Sequence, residues 1–146
     1  MSARPVPHLC VAVACLLCVL PESALGRRRA GDPQEVSLIQ RYERLLRKCA
    51  SQHSDRCANV MFDLAQLYYD SARVAYRDAL EEAENRRREP PGPEPALDLS
   101  RALRMYQRLV SAYPEFARRD RAHYMIANIC QLSGDVDRTH EALTAI

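Results

Sequence analysis

From Arg56 to Arg88 the chain holds neither proline nor glycine, and its apolar residues recur at three- and four-residue steps: Met61, Leu64, Ala65, Tyr68, Ala72, Ala75, Tyr76, Ala79, Leu80 and Ala83. That spacing lays one continuous apolar face along an α-helix. A β-strand cannot use it, because strand side chains alternate with period two. A thinner row, Val60, Leu67 and Val74, runs beside the first at seven-residue steps. A helix with two apolar faces needs neighbours on both sides, so the stretch predicts stacked helices and not one lone amphipathic helix. The expected fold class is all-α.

The other segments agree with it. Ile39, Tyr42, Leu45, Leu46 and Cys49 keep helical spacing within a first helix from Val36. "SQHSD" then interrupts, and Ser54 or Asp55 is placed to cap the long helix. "REPPGPEP", with four prolines and a glycine, must end that helix and predicts an extended surface insertion over 88–97. Helix resumes near Asp98 with Leu99, Ala102, Leu103, Tyr106, Leu109, Val110 and Tyr113, and stops at Pro114. Asp120 is the expected cap of the next helix, with Ala122, Ile126, Ile129 and Cys130 inside. Gly134 ends it, and Asp135 caps a short last helix that reaches the final residues. The 146 residues suit one domain.

The N-terminus reads as a signal peptide over 1–26, followed by a basic linker over 27–35. Arg4 precedes the apolar run Leu9 to Leu20, and Ala24 and Gly26 supply small residues for cleavage. Twelve apolar residues at about 1.5 Å each fall short of a bilayer core of about 30 Å, so no membrane span is expected. The expected location is periplasmic or secreted. A lipid- or membrane-anchored form is the alternative. "AVAC" offers Cys15 for acylation, and Arg27, Arg28 and Arg29 put more positive charge after the run than before it. Net charge is only +2 and Lys48 is the sole lysine, so nothing in the charge points to nucleic acid.

Export removes Cys10, Cys15 and Cys18 and leaves Cys49, Cys57 and Cys130. Cys49, His53 and Cys57 fall at four-residue steps. In a continuous helix the two cysteines would stand about 12 Å apart, beyond the ~4.4–6.8 Å a disulfide accepts, and the three residues would share a face suited to a metal. If "SQHSD" is a turn, Cys49 and Cys57 meet across it. The polar composition and an oxidising compartment favour the bridge, with free thiols or a metal site as alternatives. Cys130 lies on an apolar stripe and reads as a small core residue, with an intermolecular disulfide as the other reading. His123 and His140 have no ligand-spaced companions, and Glu81, Glu82 and Glu84 neighbour arginines on a solvated face. There is no nucleophile elbow, phosphate loop or zinc-protease helix. No catalytic residue and no cofactor is expected.

Small residues at close crossings, larger apolar ones around them and a proline or glycine at each turn are what helix-pair repeats require. "SRALRMYQRLVSAYP" sets Ala102, Tyr106 and Pro114 at the spacing of the second helix of a tetratricopeptide repeat. "DRAHYMIANICQLSGD" looks like the next repeat's first helix, and "ANVMFDLAQLYYD", with Leu64, Ala65 and Tyr68, like that of the repeat before. The segment 56–146, after an N-terminal helix and turn over 36–55, thus resembles the tetratricopeptide-repeat family. It is similar to exported members from high-GC Gram-negative bacteria, including Tol–Pal-associated and outer-membrane-assembly helpers. The resemblance implies an antiparallel helix-pair solenoid that binds a peptide or protein partner of the cell envelope without catalysis. It also implies a concave groove lined by Asn59, Phe62, Gln66 and Tyr69 from one repeat and Arg121, Tyr124, Asn128 and Gln131 from the next. A plainer reading packs Phe62 and Tyr69 on the first helix. The last helix lacks a polar cap, which predicts a homo-oligomer or part of a longer array. The competing function is a thiol- or metal-dependent protein using Cys49, His53 and Cys57.

Overall fold

The computed structural model describes residues 29–49, 54–86 and 92–146. The expected signal peptide over 1–26, His53 and the start of the proline-rich insertion lie outside them. Among the described residues there are five helices and no strand: α1 Pro33–Cys49, α2 Asp55–Asn85, α3 Ser100–Ala112, α4 Arg119–Leu132 and α5 Val136–Thr144. None is long and apolar enough to cross a membrane.

Local chemistry sets the helix ends. Pro33 opens α1, three residues before the expected Val36, where a missing N–H costs nothing. Ser54 caps α2 by accepting from the Cys57 amide at 3.4 Å. Asp120 does not cap α4, as its composition suggested; it sits in the first turn. The preceding turn already serves the helix start, with the Arg119 amide donating to the Phe116 carbonyl at 2.9 Å. Asp120 still opposes the positive end of the helix dipole. At the far end Gly134 takes φ 75°, which lets the Asp135 amide reach the Cys130 carbonyl at 2.9 Å and the Gly134 amide reach Gln131 at 3.1 Å. Asp135 then caps α5 by accepting from the Arg138 amide at 3.1 Å.

Each helix packs on the next in sequence. α1 runs antiparallel to α2. Cys49 and Cys57 stand at disulfide distance at one end, Cα atoms 5.6 Å apart, and the Ala30 amide donates to Asp78 at 2.7 Å near the other. Between them the Tyr68 hydroxyl donates to Glu43 at 2.7 Å. α3 is antiparallel to α2 as well: Arg101 lies 4.2 Å over the Tyr68 ring, while Tyr106, further along α3, meets the earlier Phe62 with ring centres 5.6 Å apart. The core comprises Met61, Leu64, Tyr106, Leu109 and Ile129, with Ala65 and Ala102 also enclosed.

The long apolar stripe of α2 is buried only in its first half. Met61, Leu64, Ala65 and Tyr68 are covered, but nothing beyond Tyr69 is, and Leu80 is 40% exposed. Length explains the difference. The 13 residues of α3 span about 20 Å, against about 46 Å for the 31 residues of α2. On the α3 side, the second half of α2 therefore meets only the non-helical approach to α3, where Leu97 packs on the core edge and Leu99 is buried. At the other end of the molecule Val136, Leu143 and Ile146 remain open to solvent on or beside α5.

Candidate interaction groove

Three contacts fix how α2 and α4 face each other. Arg118 at the start of α4 donates to Asn59 of α2 at 2.5 Å, and the Tyr69 hydroxyl donates to Asn128 at 3.1 Å; in both pairs the residues are 59 positions apart. Arg121 lies 5.7 Å over the Phe62 ring, and 121 minus 62 gives the same offset. A fixed offset over ten residues means that the helices run parallel, side by side, one turn answering one turn. α2–α3 and α4–α5 are thus two antiparallel hairpins whose first helices form a common seam.

Side chains along the seam are tied to one another. Gln66 accepts from the Tyr106 hydroxyl at 3.1 Å and donates to Asp70 at 3.2 Å. Burial and the nearby Asp70 charge hold the Tyr106 hydroxyl far above the usual phenol range, so it stays a donor. Arg118 stacks 4.2 Å over Phe62 and 5.5 Å over Phe116, and also reaches Asp63 at 3.4 Å.

Five of the eight expected groove residues, Asn59, Phe62, Tyr69, Arg121 and Asn128, meet across this seam, while Gln66 bonds Tyr106 of α3 and Asp70 of its own helix. Tyr124 and Gln131 are exposed on the same helix, Tyr124 at 56%. Phe62 and Tyr69 are buried, so their flat area belongs to the core. The ring neighbours of Phe62 are Tyr106, with centres 5.6 Å away, and Phe116 at 6.1 Å. It is Tyr68, one position before Tyr69, that faces α1. Two participants were passed over in the sequence. Arg118 and Phe116 lie in "PEFARRD", an aromatic followed by paired arginines, but nothing local shows that the pair folds onto a ring more than fifty residues earlier.

The seam opens at its C-terminal end into a groove of about 940 Å³. Tyr69 and Asn128 form its inner end; Val74, Leu80, Leu97 and Leu132 supply apolar walls, and Arg73 stands at the rim, 5.7 Å over the Tyr69 ring. A second, smaller cavity of about 230 Å³ lies between α3, α4 and α5 beside His123. His123 is 8% exposed and its Nε2 has no hydrogen-bond partner. Burial, reinforced by the Arg119 charge, lowers its pKa.

Paired at disulfide distance, Cys49 and Cys57 have no free thiolate to offer a metal, and His53, the third residue of the expected set, lies outside the described residues. No cluster of three or more His, Cys, Asp or Glu side chains suited to a metal occurs among the described residues. Cys130 is 2% exposed, and burial pushes its thiol pKa up. No family model matches the chain, and no curated protein or solved structure matches it.

Proposed function

We propose that the chain is an exported helical-repeat scaffold of the tetratricopeptide kind, which holds a peptide or protein partner of the cell envelope along the α2–α4 seam. The observation that carries this reading is the constant register between α2 and α4. Parallel first helices at fixed offset are what stacked helix pairs produce, and they leave Asn59, Arg121, Tyr124 and Gln131 exposed along the seam. The offset of 59 exceeds the repeat length of about 34 typical of the family. The second half of α2 and the proline-rich connection account for the surplus. The family resemblance rests on the residue pattern alone, and export on the apolar N-terminal run, with which a cysteine pair at disulfide distance is consistent.

Tyr124 is the open aromatic of this face and Asn128 carries the amide at its centre. A photo-crosslinking amino acid at position 124 should capture a defined envelope protein, and Asn128→Ala should reduce the yield while leaving helicity unchanged. Equal yield from a crosslinker placed on the outer face of α1 would remove the seam from the account. A second reading has its own observation: Val136, Leu143 and Ile146 leave an apolar surface at α5, which favours self-association. Sedimentation across a range of concentrations tests it.

A further inference from the structure

The groove at the end of the seam has a marked division of chemistry. Aliphatic walls from Val74, Leu80, Leu97 and Leu132 share the groove with Asp70 and Arg77, and Leu80 and Leu132 are 40% and 56% exposed. Its size, about 940 Å³, is that of a site for several side chains. The charges around the seam are not balanced inside it. Arg118 is held by Asn59 and Asp63, and Asp70 accepts from Gln66. Arg73 and Arg121 lie over aromatic faces, those of Tyr69 and Phe62, and neither forms an ion pair with a carboxylate among the described residues. Stacking orients a guanidinium and leaves its five N–H donors unspent.

We propose that this surface takes an extended segment of another protein in which acidic and bulky aliphatic residues are interleaved. The inference rests on the scaffold reading and adds the chemistry of the partner. In an extended chain successive side chains point to opposite sides. Aliphatic groups on one side fill the groove, whose walls lie at and beyond the level of Arg73, while carboxylates on the other edge meet the guanidinium forks of Arg73 and, further along the seam, Arg121. Asn128 lies between the two arginines and is placed to bond the segment's backbone. Counting helix rise from Arg121 to Asn128 and from Tyr69 to Arg73, the arginines stand about 16 Å apart along the seam. An extended chain covers that distance in about five residues, and because two side chains on one edge stand an even number apart, the interval between its two acidic positions is about four or six. A basic segment would meet two arginines that no described carboxylate pairs with, against the single carboxylate of Asp70.

Selection of displayed random peptides of about twelve residues on the oxidised full chain tests this. Enriched sequences should carry two acidic residues about four or six apart together with aliphatic ones. Their synthetic versions should bind about tenfold more weakly to Arg73→Glu and to Leu132→Asp, by fluorescence anisotropy. Both positions are exposed, and unchanged circular dichroism and melting would show that the fold survives. Enrichment of basic or uncharged peptides, or binding indifferent to both substitutions, overturns the proposal and leaves the scaffold reading standing. No enriched peptide of any composition overturns both. If the wild-type chain dimerises and Leu132→Asp makes it monomeric without any peptide having bound, the occupant is a second copy and the proposal also falls.

Discussion

Tyr106 has no exposed surface, and its hydroxyl donates to Gln66 from inside the core. Tyr106→Phe should cost about 1 kcal/mol, because it removes one hydrogen bond and keeps the ring, whereas Tyr106→Ala should cost about 3–5 kcal/mol through the cavity it leaves. Urea unfolding of the two variants separates these contributions. His123 supplies the pH dependence. Its folded pKa is lowered, so above about pH 6.5 it is neutral in both states and exacts no penalty. As pH falls through about 6.5 the unfolded chain takes up a proton that the folded chain refuses, and stability declines until the folded value is passed. The urea midpoint should therefore drop between pH 7.5 and 5.5, and His123→Gln should flatten that drop. At this scale the sequence was readable where a residue lay on a helical stripe, as with Met61, Leu64, Ala122 and Ile129. Phe62 lay off the stripe and is buried all the same, because Tyr106, Phe116 and Arg118 reach it from distant positions that no local period encodes.

The helices differ in how firmly they are held. α1 is antiparallel to α2 and joined to it where Cys49 meets Cys57, so loss of the bridge through Cys49→Ser with Cys57→Ser should lower stability by about 2–3 kcal/mol, mainly through a freer unfolded chain. Thermal melting with and without reductant should show the same shift in the wild type and none in the double variant. α2 is one helix with two fates. Its first half lies in the core, and its second half relies on α1 and on its own hydrogen bonds. Amide exchange should therefore be faster from residue 73 to Asn85 than from Cys57 to Tyr69; uniform protection along α2 would contradict the described burial. The helices themselves, and the Gly134–Asp135 boundary, were plain in the spacing and the breakers. What escaped was how far the apolar stripe would be covered, since that depends on the length of α3, a property of another segment.

Considered entire, the molecule consists of two hairpins and a leading helix whose seam faces outward, and that seam is where Tyr124 and Asn128 should govern capture of a partner. The pairing of α2 with α4 was anticipated only through family likeness; periodicity gave the faces of each helix but no means of saying which helix would lie beside which. The fixed correspondence of Asn59 with Arg118, Phe62 with Arg121 and Tyr69 with Asn128 has a bearing on how such a chain tolerates change in length. An extra residue in the irregular stretch just before α3 is absorbed there, and every partner across the seam is kept. The same extra residue between Phe62 and Tyr69 turns the rest of α2 by about 100° and sends Tyr69 away from Asn128. Insertions and deletions in this protein are thus sorted by position: slack in the irregular stretch before α3, a mis-threaded screw within the parts of α2 and α4 that carry the seam.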